Sequence, residues 1–191
     1  MENSNEFVYN TRKEEELTLV AADIKEQIKK YANASSKWSG KINVAQVLDN
    51  AIGIKEWSCD ISLLNSADDG VIWHEMLHSC SVSYFTPNEY MEHQAIGEAS
   101  VEFLKQQICM EKGIVSISAY ENEVSVLKLL NDRFGYGSNI EFAKELFNVP
   151  MPNRYQWLED KVDDSLKNLG ATFEEYYEVI DFIKILKGEI Q

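Results

Sequence analysis

The sequence predicts an α+β fold that is mainly α, in which a small sheet flanks one central helix and the C-terminal half is helical. Three observations lead there. Apolar residues recur at helical spacing through most of the chain, while one stretch, residues 57–63, alternates with period two instead. Breaks containing Gly, Ser and Asn separate these segments without forming linkers. The 191 residues, 45% hydrophobic with three prolines, are enough for one core, and no repeat or low-complexity tract divides them. Residues 1–191 are therefore expected to form a single domain.

The elements follow in order. From about 12 to 34, Leu17, Val20, Ala21, Ile24, Ile28 and Tyr31 mark one long amphipathic helix, ended by Ser35, Ser36 and Gly40. A shorter helix is expected over 44–50, closed by Gly53. Residues 54–64, with Ile54, Trp57, Cys59, Ile61 and Leu63, are expected to be a strand. Asn65 to Asp69 supply helix-start residues and acidic groups for a first turn, so a helix is expected over 67–82. Thr86, Pro87 and Glu89 form a capping-box pattern that opens a helix over 87–112. Four more helices fit over 121–134, 140–148, 155–169 and from 172 onward. In the last, Thr172 and Glu175 form a second capping box, and Tyr176, Val179, Ile180, Ile183 and Leu186 line one face.

The chemistry concentrates in His74-Glu75-Met76-Leu77-His78. Residues four apart on a helix share a face, so His74 and His78 can direct both imidazoles at one ion. Glu75 stands one step round from His74, within reach of a water on that ion. Glu98 follows His78 by twenty residues, and Glu102 lies one helical turn beyond it. Two His and one Glu, with a fourth position left to water, is the donor set of a catalytic rather than a structural zinc site. The competing reading is a core helix with two satisfied histidines and an incidental glutamate. It requires partners for three ionisable residues on a buried helix.

This pattern, HExxH followed after nineteen residues by Glu, resembles that of the gluzincins, the thermolysin-like zinc metallopeptidases, over about residues 71–103. The resemblance implies His74, His78 and Glu98 as ligands of one Zn2+ and Glu75 as general base. It places Glu102 where such enzymes carry an acid that holds a ligating His. Gly97 departs from the pattern, which often has Asn before the ligand Glu. The implied activity is hydrolysis of peptide bonds by a zinc-activated water, with a peptide or protein as the substrate partner. Such enzymes stabilise the carbonyl oxygen with a second donor, a His or a Tyr. His93 precedes Glu98 by five residues, roughly a 140° turn on a continuous helix, and should face away from the metal. Tyr120, at a loop-to-helix junction, is therefore the expected donor, ahead of Tyr84 and Tyr136. Arg133 and Arg154 are candidates for binding a substrate carboxylate. Substrate would lie extended along an edge strand, with residues 57–63 nearest the cleft.

A formal charge of −14 argues against nucleic acid and against an anionic membrane surface as partners, because both need clustered Lys and Arg. Cys59, Cys80 and Cys109 show no paired spacing and are expected to be small buried groups rather than a disulfide framework. No apolar run approaches the eighteen residues of a membrane span, and the first residues carry no signal-peptide pattern, so a soluble, cytoplasmic protein is expected. Trp73 is expected to pack the central helix against the sheet, with Met76 and Leu77 in the core. Two other functions share these features: a zinc hydrolase of a non-peptide substrate, and an inert zincin-like binding or structural module, as in a phage or mobile-element assembly.

Overall fold

The computed structural model describes residues 13–48, 50–81 and 87–190. Among these, seven α-helices surround a three-stranded mixed sheet near the N-terminus. Helix α1 (Glu14–Gln27) buries Leu17, Ala21 and Ile24, and a 3-10 turn (Ile28–Lys30) continues the same stripe through Ile28. Tyr31 then ties this segment to the rest of the core. Its hydroxyl donates to Glu111 at 2.9 Å, and its ring meets Trp73 edge-on.

The sheet differs from the sequence expectation in two places. The described residues of 44–50 form no helix; strand β1 (Ile42–Ala45) occupies the start of that stretch. Ile42 is buried and Val44 exposed, both β-branched residues suited to a strand, and β1 pairs in parallel with β3 (Ile61–Leu64), Ile42 opposite Ile61. The expected strand over 54–64 is two strands. Strand β2 (Gly53–Lys55) runs antiparallel to β3, and a tight turn separates them. Cys59 donates its amide to the Glu56 carbonyl at 2.9 Å and adopts φ 68°, which breaks any continuous strand. Cys59 is accordingly half-buried rather than a core thiol, unlike Cys80 and Cys109. The strand order β1-β3-β2 makes β3 central and leaves β2 at an edge.

Helix α2 (Asp69–Cys80) starts where Asp68 accepts a hydrogen bond from the Val71 amide at 2.9 Å. Every residue of α2 from Ile72 to Cys80 is buried. Trp73 meets the Tyr31 ring edge-on and lies under the ammonium of Lys112, within the core cluster that also holds Ile42, Ile61 and Leu63 of the sheet. Helix α3 (Pro87–Lys112) spans 26 residues, about 39 Å, and is the spine of the molecule. Thr86, its expected cap, and Val82, the expected end of α2, lie outside the described residues.

The other face of α3 carries the helical half. Helices α4 (Glu121–Arg133), α5 (Asn139–Asn148), α6 (Arg154–Leu169) and α7 (Phe173–Lys187) close over Phe142, Leu146, Phe147, Leu158, Val179 and Ile183. Each fully buried side chain of this size contributes about 1.5–3 kcal/mol relative to exposure. The capping box of Thr172 and Glu175 is formed at the start of α7. Arg154, fully buried, donates to Ser100 and Ser81 and to the Phe147 and Val149 carbonyls. It clips α2, α3 and the end of α5 together, so it cannot bind a substrate carboxylate. No helix among the described residues is long and apolar enough to cross a membrane.

Candidate metal centre

Positions 74 and 78 share one face of α2, and their imidazole centroids lie 4.8 Å apart. The two Nε2 atoms are 3.1 Å from each other. Glu98, on α3, brings Oε2 to 3.2 Å from His74 Nε2 and 3.0 Å from His78 Nε2. All three residues are buried, and they form a group that could hold a metal ion. The fit can be judged from the donors alone. Two imidazole nitrogens and a carboxylate oxygen form a nearly equilateral triangle. A tetrahedral ion with bonds of about 2.0–2.1 Å separates its ligands by about 3.3–3.4 Å, close to the edges observed.

Comparison of the chain with protein-family models, curated proteins and solved structures finds no match. What characterises this centre is its geometry and its surroundings.

Two of the three donors, His74 and Glu98, are held from behind. Glu102 Oε2 lies 3.0 Å from His74 Nδ1. An ionised carboxylate only accepts, so it keeps the proton on Nδ1 and leaves Nε2 to face Glu98 and His78. The other Glu102 oxygen accepts from Lys105, Gln106 and the Ala119 amide at 3.0–3.1 Å. Glu98 Oε1 accepts from the Tyr90 hydroxyl at 2.6 Å, which leaves Oε2 to the imidazoles. Burial opposes charge on His74, but the Glu102 and Glu98 carboxylates outweigh it and push its pKa up to about 10. Burial also opposes charge on Glu98 and Glu102. The His78 and His74 imidazoles nevertheless hold the Glu98 carboxyl well below its ordinary range, and His74 and Lys105 lower that of Glu102.

Glu75 is buried beside this triangle and lines the cleft above it. Burial raises its pKa, the imidazoles of His74 and His78 pull it back, and a hydrogen bond from the Lys55 backbone lowers it further. The cleft has a volume of about 480 Å³ and is walled by residues 53–57 on one side and Tyr90 and Met91 on the other. A second cleft of about 420 Å³ continues past Glu75 between residues 50–53 and 117–120. Gly53 makes the shared wall: a Cβ there would come within 2.7 Å of Val71 and 3.1 Å of Glu75, pushing β2 off α2.

Tyr120 borders both clefts, and its ring stacks on the His74 imidazole at 6.2 Å with a 14° interplanar angle. Its backbone is left-handed, φ 51°, a strained conformation for a bulky residue. Burial and the nearby Glu98 raise its phenol pKa. Tyr84 lies outside the described residues. Tyr136 donates to Glu145 at 2.6 Å and packs on Phe142, in the helical half and away from the cleft. The ring of His93 lies 6.3 Å from that of Tyr155. Arg133 pairs with Glu175 and Glu178 on α7. None of these three lines the cleft over the metal centre. Of residues 57–63, only Trp57 lines the cleft; the edge beside the site is β2.

Sequence reasoning missed Tyr90, Gln94 and Lys105. With Glu98 and Glu102 they recur at spacings of four, four, four and three along α3. That is one polar stripe on a helix whose remaining positions largely enter the core. Gly97, where the resembled pattern often has Asn, lies against Met151: a Cβ there would stand 2.7 Å from its sulfur.

Proposed function

We propose that this protein is a zinc-dependent peptidase of the gluzincin type, with His74, His78 and Glu98 as metal ligands. The observation that carries the reading is the convergence of three buried donors at the floor of an open cleft, with the Glu75 carboxylate beside them and a sheet edge along the wall. Neutral imidazole with one carboxylate suits zinc better than calcium or magnesium, which take oxygen donors. Bound there, zinc would supply a Lewis acid that polarises a carbonyl and makes a water acidic near pH 7.

The remaining steps belong to the chain. Glu75 takes the proton from the attacking water and returns it to the departing amine. A carboxyl raised by burial is better matched to that exchange near neutral pH than a solvated one. Tyr120, whose phenol borders the cleft near Glu98, donates to the scissile carbonyl oxygen as charge builds on it, while Tyr90 keeps its proton on Glu98. Glu102 fixes the His74 ring and its tautomer. Substrate backbone pairs with the open edge of β2.

The test begins with zinc content of tag-free protein by elemental analysis, with Glu98→Ala alongside, followed by digestion of a peptide library. About one zinc per chain, clearly less in the variant, and zinc-dependent cleavage support the reading. One zinc without cleavage of any peptide leaves a binding module or a non-peptide hydrolase. No zinc uptake at neutral pH removes the metal centre altogether.

A further inference from the structure

Lys105 is 2% exposed. An ammonium buried to that degree is costly unless its protons find acceptors. It has three: Glu102 Oε1 at 3.0 Å, Ser116 Oγ at 3.1 Å and the Ile117 carbonyl at 2.7 Å. They belong to two parts of the chain. Glu102 lies one turn earlier on α3, whereas Ser116 and Ile117 lie in the extended connection between α3 and α4.

That connection leads directly to Tyr120. Its Ala119 amide donates to the same Glu102 oxygen at 3.1 Å, and its Ile117 amide donates to Asp68 at 2.9 Å. A solvated Glu–Lys pair three residues apart on a helix is weak and interchangeable. This one is buried, and its carboxylate is shared between an ammonium, a loop amide and the imidazole of His74. We propose that Lys105 is a positioning residue for the metal centre. By occupying Glu102 Oε1 it keeps Oε2 on His74, and by gripping Ser116 and Ile117 it delivers Tyr120 into the cleft against the same imidazole. The first half of this rests on His74 being a metal ligand; the second does not.

Two measurements test it on the full chain: zinc(II) affinity by competition with a chromophoric chelator, and exchange of the Ile117 and Ala119 amides in zinc-free protein by NMR. They are made on the parent, Lys105→Met, Glu102→Gln and the double variant. Lys105→Met is expected to weaken zinc by about 10- to 100-fold, the range for residues that orient ligands. It should also speed exchange at Ile117 and Ala119 by about tenfold or more while amides of α5 and α7 hold their rates. Because Lys105 acts through Glu102, adding Lys105→Met to Glu102→Gln should change zinc affinity by less than about twofold. Zinc affinity within about twofold of the parent in Lys105→Met, or full additivity in the double variant, overturns the proposal. If Lys105→Met does not fold, the double variant leaves no buried charge unpaired and decides against Glu102→Gln alone. If the parent binds no zinc, the metal reading and the His74 half of the proposal fall together. Amide exchange then decides the Tyr120 half by itself.

Discussion

The two sides of α3 bury their residues on opposite terms. Toward α2 and β2, six ionisable groups (His74, Glu75, His78, Glu98, Glu102 and Lys105) are buried side by side. Toward α5–α7 the interior is Phe142, Leu146, Phe147, Leu158 and Val179, with Arg154 the one buried charged group among the described residues of those helices. Buried ion clusters are weak evidence of stability, since desolvation offsets most of their attraction. The first side is therefore shaped by chemistry and the second by packing, and substitutions on the two sides should separate function from stability.

The largest separation is expected at Glu75. Glu75→Gln keeps the volume and the hydrogen-bonding shape but removes the base, so peptide hydrolysis should fall by about 10²–10⁴-fold. Zinc content and melting temperature should stay near those of the parent, because Glu75 is not among the three converging donors. Steady-state kinetics beside elemental analysis check this. Loss of zinc together with activity would place Glu75 among the ligands and end its assignment as base.

The converse is expected at Arg154. Arg154→Met removes donors from Ser100, Ser81 and the Phe147 and Val149 carbonyls without approaching the cleft. Leaving buried acceptors unsatisfied costs about 1–3 kcal/mol each before relaxation, so a net loss of about 2–4 kcal/mol is expected in urea unfolding. Zinc affinity of the folded variant should not change. If it falls, the clip at the end of α2 also sets the His78 position, and the two sides are less independent than their interiors suggest.

This contrast also explains what could be read in the sequence. The helical half follows from periodicity and caps: Pro87, Thr172 with Glu175 and the Val179–Ile183–Leu186 stripe are local signals, and they fall where expected. The pairing of His74 with His78 was legible because a four-residue spacing on one helix is local too. The sheet was not. Ile42 and Val44 become a strand only because β3, sixteen or more residues on, offers a parallel partner. Cys59 breaks the expected strand through a left-handed backbone that composition does not announce. Lys105 and Ser116 meet by tertiary packing, and nothing in their spacing reveals it.

Titration should distinguish the sides more subtly. The His74 pKa, pushed up to about 10 by Glu102 and Glu98 against burial, lies above its unfolded value of 6.5. In metal-free protein its contribution to stability is thus fully present below pH 6.5 and is lost as pH rises through about 10. Glu98 is shifted the other way, so its contribution is present above its ordinary 4.5 and is lost as pH falls below that. Helices α4–α7 contain no histidine, so the loss between pH 6.5 and 10 belongs to the site side. On the proposed reading, zinc would displace the proton on His74 Nε2, so binding at pH 7.5 should release about one proton per ion and tighten as pH rises. Calorimetry in two buffers of different ionisation enthalpy reads that number directly. Zero protons would show a neutral His74, contrary to the influence assigned to Glu102 and Glu98.

The smallest difference is expected between two N-caps. Thr172 caps α7 by accepting from the Glu175 amide, and it touches nothing in the cleft. Thr172→Ala should cost about 1 kcal/mol or less, with no effect on zinc. Asp68 caps α2 in the same way but also accepts from the Ile117 amide and from Ser116, the segment that leads to Tyr120. Asp68→Ala should therefore cost somewhat more, about 1–2 kcal/mol, and should loosen the Ile117 amide in hydrogen exchange. A cap satisfies the backbone of its own helix wherever it occurs; Asp68 additionally couples the start of the helix that carries His74 and His78 to the loop beside the cleft. Equal costs and an unchanged Ile117 amide would mean that this coupling is structural coincidence, and that the loop is held by Lys105 and Glu102 alone.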